Sequence, residues 1–453
     1  MSQDRWQFTT LATIGTVAAV VSSLGAPLVP SIAAEYDVPL TTAQWVLTST
    51  LIAGAVMTPV LGRCGSGRMR RPVILAALGA VLLGSLLTAL PLGLGALIAG
   101  RALQGIGLAL IPLVLAVARD LWTGSVLASR LSYLSVTTVA GAGLGYPLTA
   151  GLAQWLGLTG AYWFGAGLML ATLLLAWRYL PQVGDGPAPR VDLIGFALLS
   201  VGSVSFLLAV SQGEKWGWSS TPILALAVAG FVASATWVIW SRHPTPRTTR
   251  LVDLSLAGRR GVVGPNLVAF GVGMGMYALL TFAVIVVRAD GSAGFGLGLS
   301  VAAAGLVLVP YAVLSVAGSR VALAVSRAVG PKVLLPTGAL VFGSSLVMMA
   351  LVHDHLWQVL TAMAIGGLGS GFTFSSMATL IVPHVPAAET GSAMAFNQLL
   401  RYLGFSAGSA VSVALISLFG GGAGAFAAAA LTLAAVCVVS ATLAVTVRGS
   451  RVG

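Results

Sequence analysis

Uninterrupted apolar runs of about 20 residues recur along this chain, and they constrain it more than any motif does. A helix needs about 20 such residues to cross the hydrocarbon core of a bilayer. Read between charged or turn-rich breaks, roughly fourteen runs appear. They lie at 8–29, 42–62, 72–91, 94–118, 131–154, 159–180, 192–211, 219–240, 263–287, 298–319, 332–352, 357–382, 391–418 and 421–446. Strands of a membrane β-barrel would be shorter and would alternate polar with apolar positions. Only 8% of the residues are charged and 57% are hydrophobic, so a water-soluble fold has too little polar surface to cover it. The same balance excludes disorder and a nucleic-acid-binding domain. The 57 glycines have no collagen-like period and suit helices packed closely in lipid. An all-α polytopic membrane protein with 14 transmembrane helices is the expectation.

The loops orient it. With the N-terminus placed inside, only Lys215 and Arg288 fall in outside loops, and Arg101 and Arg401 lie within spans. Every other one of the 23 basic residues falls inside. Basic residues gather on the cytoplasmic side of membrane proteins, so both termini are expected there, in the cell membrane. The net charge of +12 reflects those loops. The first run is too long for the core of a signal peptide and reads as an uncleaved span. Cys64 and Cys437 suggest neither a disulfide nor a metal site. The longest inner breaks, 181–191 and 241–262, bracket the seventh and eighth runs. This predicts a six, two, six layout: 1–181 and 263–453 as six-helix bundles, and 182–262 as a linker with two extra helices.

All eleven acids sit at span ends or in loops: Asp4, Glu35, Asp37, Asp120, Asp185, Asp192, Glu214, Asp253, Asp290, Asp354 and Glu389. The four histidines do the same. What lies inside the spans is Arg101 in the fourth and Arg401 in the thirteenth. A cation at mid-membrane costs about 2.5–3.5 kcal/mol on insertion scales, so it faces the bundle or a wet cavity. Substrate contact or proton handling is the functional reading. The bland one is a cation tied to backbone carbonyls or to Gln104, Asn397 and Gln398. In the fifth span Gly143, Pro147 and Gly151 share a face, with Gly141 and Gly145 beside it. These let a neighbour approach and Pro147 bend the helix, as packing or as a gate. Trp45, Thr48, Tyr277 and Phe374 are candidate cavity residues, with ordinary packing as the alternative. Nucleotide-binding, zinc-protease and serine-hydrolase motifs are absent. Neither a cofactor nor enzyme activity is expected.

Four stretches carry a family likeness. Gly62-Arg63-Cys64-Gly65-Ser66-Gly67-Arg68-Met69-Arg70-Arg71 resembles the signature between spans 2 and 3 of the major facilitator superfamily. Ser66 replaces its usual aspartate, and Met69 its usual glycine. Arg101, Gln104, Gly105 and Gly107 are similar to the span-4 motif. Gly141, Gly145, Pro147 and Gly151 resemble the span-5 antiporter motif. Leu28 to Ile32 resembles the end of the span-1 motif, with Val21 where an aspartate is usual. The chain resembles the fourteen-helix drug:proton antiporter branch over essentially its whole length. The resemblance implies alternating access, proton-coupled export of small amphipathic molecules, and a monomer that holds a whole pathway. It also implies proton handling at Arg101, leak control by the fifth span, and an inner charge latch pairing Arg68, Arg70 and Arg71 with Asp120. With no buried carboxylate to hold a lipophilic cation, a neutral, zwitterionic or anionic apolar substrate is expected. A lipid or lysolipid carrier and a non-transporting membrane sensor or scaffold are the alternatives.

Overall fold

In a bilayer a backbone N–H or C=O must find its partner within its own segment, so each apolar run folds as a helix. The computed structural model describes residues 3–24, 28–184, 192–242, 250–289 and 294–449. Among them there is no strand. The long helices are α1 (Gln3–Ser23), α2 (Trp45–Cys64), α3 (Arg70–Ala89), α4 (Leu94–Gly105), α5 (Leu110–Leu121), α6 (Gly124–Tyr179), α7 (Leu193–Trp216) and α8 (Thr221–Arg242). They continue with α9 (Arg260–Arg288), α10 (Leu308–Ala328), α11 (Leu334–Leu351), α12 (Leu356–Ile381), α13 (Thr390–Leu418) and α14 (Gly422–Gly449). Twelve helical spans among the described residues are long and apolar enough to cross a membrane. Two further stretches, α1 and the part of α6 before Gly157, stand where the first and fifth runs were expected.

Three boundaries differ from the sequence reading. The first helix stops at Ser23, and a separate short helix, Val29–Glu35, follows with a proline in its first turn. Proline suits that place because the first helical N–H groups have no intrahelical partner. The fourth run is not one α-helix. A 3₁₀ turn, Ile106–Ala109, separates α4 from α5. The fifth and sixth runs form one helical stretch broken at Gly157, whose φ of 71° and ψ of −179° are not helical. Only glycine adopts that conformation without steric cost, so the break falls there.

The chain divides into two compact units. The first comprises Met1–Ser200, Thr236–Asp253 and Val385–Phe396; the second comprises Val201–Ala235, Leu254–His384 and Asn397–Gly453. In the first, α1 packs on α6, α2 and α3 each pack on α4, and α3 packs on α6. In the second, α9 packs on α14, α10 and α11 each pack on α12, and α11 packs on α14. One neighbour pattern is therefore used twice. The sequence shows this repeat only faintly, because it lies in helix order and small-residue placement. A Cβ at Gly105 would overlap the Thr50 carbonyl between α2 and α4; one at Gly371 would overlap the Ser315 carbonyl between α10 and α12. Both pairs use glycine to bring backbones together. The second unit closes around Phe282, Phe342 and Phe426, all fully buried.

Helices α7 and α8 pack on each other. A Cβ at Gly202 of α7 would stand 2.6 Å from the Ser234 hydroxyl of α8. At the other end Trp240 Nε1 donates to the Asp192 carboxylate, which also accepts from Gly195 N at 2.8 Å and so caps α7. The outer face of α8 leaves Val228, Phe231 and Ile239 exposed.

Candidate functional site

Arg101 lies one turn before the 3₁₀ break and is 0% exposed. Its Nε donates to the Val46 carbonyl at 3.3 Å. Nη1 donates to the Val21 carbonyl at 3.0 Å and to Gln104 Oε1 at 2.6 Å, and Nη2 donates to the Ser22 carbonyl at 2.8 Å. Gln104, three residues along the same helix, carries the network on. Its Nε2 reaches Ser85 Oγ at 3.2 Å and Thr88 Oγ1 at 3.1 Å on α3. Thr50 Oγ1 donates to the carbonyls of Val46 and of Arg101 itself. One guanidinium thus ties α4 to the end of α1 and the start of α2, and its glutamine adds α3. The planar fork of donors makes this possible, because its N–H groups diverge in fixed directions. This is the carbonyl-bound arrangement that the sequence left open. Val21, where the family's aspartate is usual, contributes its backbone oxygen.

Arg401 sits in α13, eleven residues beyond Thr390, or about 16 Å at the helical rise. It is partly exposed. Nη2 donates to Gln398 Oε1, again a glutamine three residues away, and Gln398 Nε2 donates to the Tyr402 hydroxyl. The guanidinium carbon lies 4.9 Å from the centre of the Phe374 ring, a cation–π contact. Nε is buried and has no hydrogen-bond acceptor. Beside the cation, Phe405 and Tyr277 stack with ring centres 4.6 Å apart, and Phe405 meets Phe374 and Tyr402 edge-on. Asn397 Nδ2 bonds Asn266 Oδ1 at 3.0 Å and the Pro265 carbonyl at 3.2 Å, with Met377 sulfur 4.0 Å away. The structure brings Arg401, Gln398, Tyr277 and Phe374 together; Asn397 bonds to α9 nearby. Tyr402 and Phe405 escaped the sequence reading, although both follow Arg401 within four residues and the i+4 spacing places Phe405 on its face.

Trp45 and Thr48 lie in the first turn of α2, both half-buried, with Thr48 Oγ1 donating to the Gln44 carbonyl at 3.4 Å. Of the glycine row, Gly141 and Gly145 are buried, and a Cβ at Gly141 would stand 2.6 Å from the Thr16 carbonyl of α1. Gly151 corrects the expectation. It is exposed and a Cβ there would meet nothing within 4 Å, so the close packing ends before it. The packing of Gly143 and Pro147 lies outside the described side chains.

The arginine-rich end of the first unit holds a second cluster. Among the three arginines expected on Asp120, Arg70 makes the ion pair, with its Nε donating to the Gly65 carbonyl at 3.1 Å. Arg71 turns to the Trp177 carbonyl at 2.7 Å, and the Arg68 side chain is exposed. Two contacts were not foreseen. Arg63 Nη1 reaches both oxygens of Glu389, at 2.8 and 3.0 Å, and Arg119 Nη1 donates to Thr390 Oγ1 at 2.8 Å. They join α2 and α5 to residues 326 and 271 positions away, a separation that no local spacing signals. Nearby, Asp4 takes two bonds from Arg130 and one from Trp122 Nε1, and Arg130 lies over the Trp122 ring at 4.0 Å. Those hydrogen bonds, with the Arg130 charge, hold the Asp4 carboxyl below the usual carboxylate range.

A family model described as Major Facilitator Superfamily matches residues 11–258 and 266–451. An uncharacterized MFS-type transporter of Mycobacterium tuberculosis is 27% identical over 91% of this chain, which spans 59% of that relative's length. A probable actinorhodin transporter of Streptomyces coelicolor is 27% identical over 84% of this chain and 67% of its own. A triacylglyceride transporter of Mycolicibacterium hassiacum is 28% identical over 81% and 70%. Among solved structures, the human organic anion transporter MFSD10 superposes with a TM-score of 0.69 at 16% identity, covering 98% of this chain and 100% of that one.

Proposed function

The chain belongs to the Major Facilitator Superfamily, and from that premise we propose that it is a secondary transporter that exports small amphipathic molecules, neutral or anionic in preference to cationic. One observation carries the charge preference. Among the described residues, the cations deep in the helices are Arg101 and Arg401, while the nine acids lie at or near helix ends or in connecting segments. A lipophilic cation entering such an interior meets like charge, and an anion meets the opposite. The probable actinorhodin transporter among the relatives supports a small-molecule substrate. In this reading the protein is a cell-membrane monomer of fourteen helices in a six, two, six order, with both termini cytoplasmic. It works by alternating access and exchanges substrate for protons. The pairing of Arg70 with Asp120 supports an inner charge latch that stabilises one state, and the Arg63 pair with Glu389 adds a second.

The test is proton release from energised inside-out vesicles challenged with cationic, neutral and anionic lipophiles of matched size. Release with the neutral and anionic compounds is expected. A response led by cations would sink the charge preference. The triacylglyceride relatives favour a second reading, a carrier of lipids. It predicts silence across the panel and movement of labelled acylglycerols between vesicle leaflets.

A further inference from the structure

We propose that Arg401, Phe374, Phe405 and Tyr277 form a binding site for an aromatic carboxylate, a flat ring system bearing an anionic group. The inference deepens the export reading and rests on it for the site's place in transport. It begins from an unbalanced charge. The stretches 260–288, 308–328, 356–381 and 390–418, which make up α9, α10, α12 and α13, contain no aspartate or glutamate. The helices around Arg401 therefore bring no counter-charge to it. Gln398 supplies a neutral oxygen to Nη2, and Phe374 covers one face of the guanidinium. With that face occupied, a ligand's access is to the edge. The edge is where Nε, buried and without an acceptor, points. A guanidinium edge matches a carboxylate, whose two oxygens fit parallel N–H groups, better than it matches a single neutral carbonyl.

The wall beside the cation says what the rest of the ligand is. Phe405 and Tyr277 form a stacked pair, and both are half-buried. Phe405 also meets Phe374 edge-on at 6.3 Å, so cation and rings make one continuous surface. Rings prefer offset stacking or edge contact with other rings. An anion joined directly to a flat ring satisfies both parts at once. An aliphatic acid satisfies only the first, and an aromatic ester only the second.

Binding to the purified full chain in detergent tests this without any need for transport. The probes are 2-naphthoate, its methyl ester, 2-naphthylmethylammonium and cyclohexanecarboxylate, with affinity read by calorimetry. The acid is expected to bind about ten- to hundredfold more tightly than its ester, the range of one charge-assisted hydrogen-bond pair. In Arg401→Gln the acid and ester should converge, and Arg401→Lys should keep part of the difference. The acid-to-ester ratio is taken within one preparation, so it does not depend on how much of a variant folds. An ester equal to the acid, or a ratio unchanged in Arg401→Gln, overturns the site. Cyclohexanecarboxylate binding as tightly as naphthoate overturns its aromatic half. A stronger Arg401-dependent response to phosphatidylglycerol would make it a headgroup site and overturn it too. Flux of neutral compounds with no acid preference would leave export standing and remove this site. Arg401-dependent acid binding without flux of any compound would do the reverse.

Discussion

Arg101 and Arg401 each carry a positive charge into the apolar interior of its own unit, each with a glutamine three residues away, yet they are accommodated in opposite ways. Arg101 spends its donors on the chain. Three carbonyls and a glutamine oxygen take them, and the side chain is fully buried. Arg401 is partly exposed, leans on an aromatic face and keeps a buried donor without an acceptor. A buried ion is tolerated when its hydrogen bonds are complete and is costly when they are not. The difference therefore separates two jobs. A satisfied cation joins helices together, whereas an incompletely satisfied one is poised to take a partner from outside.

The comparison breaks most readily at the side chains themselves. Arg101→Ala removes four hydrogen bonds at once, to the Val21, Ser22 and Val46 carbonyls and to the Gln104 oxygen, although the Val46 carbonyl keeps the Thr50 hydroxyl and the Val21 carbonyl the Leu24 N–H. The expected loss is about 3–4 kcal/mol of stability, which abolishes most monodisperse protein on size exclusion. Arg401→Met removes an incompletely paired ion and should cost under about 1 kcal/mol, since an apolar replacement of a buried charge is often neutral. Equal losses would show that both arginines serve the same structural purpose. The lysine exchanges sharpen the point. A lysine head is a compact point charge and cannot span acceptors on α1, α2 and α4 at once. Arg101→Lys should therefore lose about 2 kcal/mol, read as a lowered Tm in detergent. Arg401→Lys should leave Tm within a degree or two, in keeping with a change of under about 0.5 kcal/mol.

The glutamines give the next smaller contrast. Gln104→Leu removes a bond to Arg101 and two to α3, so a loss of about 2 kcal/mol is expected. Gln398→Leu removes one bond to Arg401 and one to Tyr402, and about 1 kcal/mol is expected. Thermal unfolding of the two variants side by side checks the ratio. If Gln398→Leu proved the more damaging, the Arg401 cluster would be a packing centre and not an open one.

Much of this was legible in the sequence, and the illegible part has a physical pattern. Apolar runs located the helices because a span's length is set by the bilayer and its composition by lipid. The two interior cations stood out because charge there is costly. What each one touches did not stand out. Arg101 is held mostly by backbone oxygens, which every residue has, so no side-chain spacing announces them. Likewise Arg68, Arg70 and Arg71 are near neighbours in sequence, and only the helix phase at Arg70 decides which one meets Asp120. The Arg63 pair with Glu389 spans 326 positions and depends on tertiary approach alone. Gly151 fits the sequence pattern of a packed row but is exposed, because a row of small residues says where a neighbour fits and not where the neighbour ends.

A third cation supplies the smallest effect and the control for the other two. Arg130 lies over Trp122 and takes a real counter-ion, Asp4, at the edge of the first unit. Its charge is balanced within the chain by that carboxylate. The Asp4 carboxyl is held below its ordinary range by that pairing. A carboxylate depressed on folding adds stability above its unfolded value of about 4, and the contribution is lost as pH falls through the lower folded value. The pair is open to solvent, so it is worth at most about 0.5 kcal/mol. Wild type and Asp4→Asn should therefore differ by a small, constant Tm offset from pH 8 to pH 5. The offset should shrink only below about pH 4. High salt should shrink it as well, since exposed ion pairs are screened. An offset that moved between pH 5 and 8 would mean that another group titrates at the clasp. A shift of several degrees at Asp4→Asn, comparable to that at Arg101, would end the distinction between a cation that organises helices and one that merely sits at their edge.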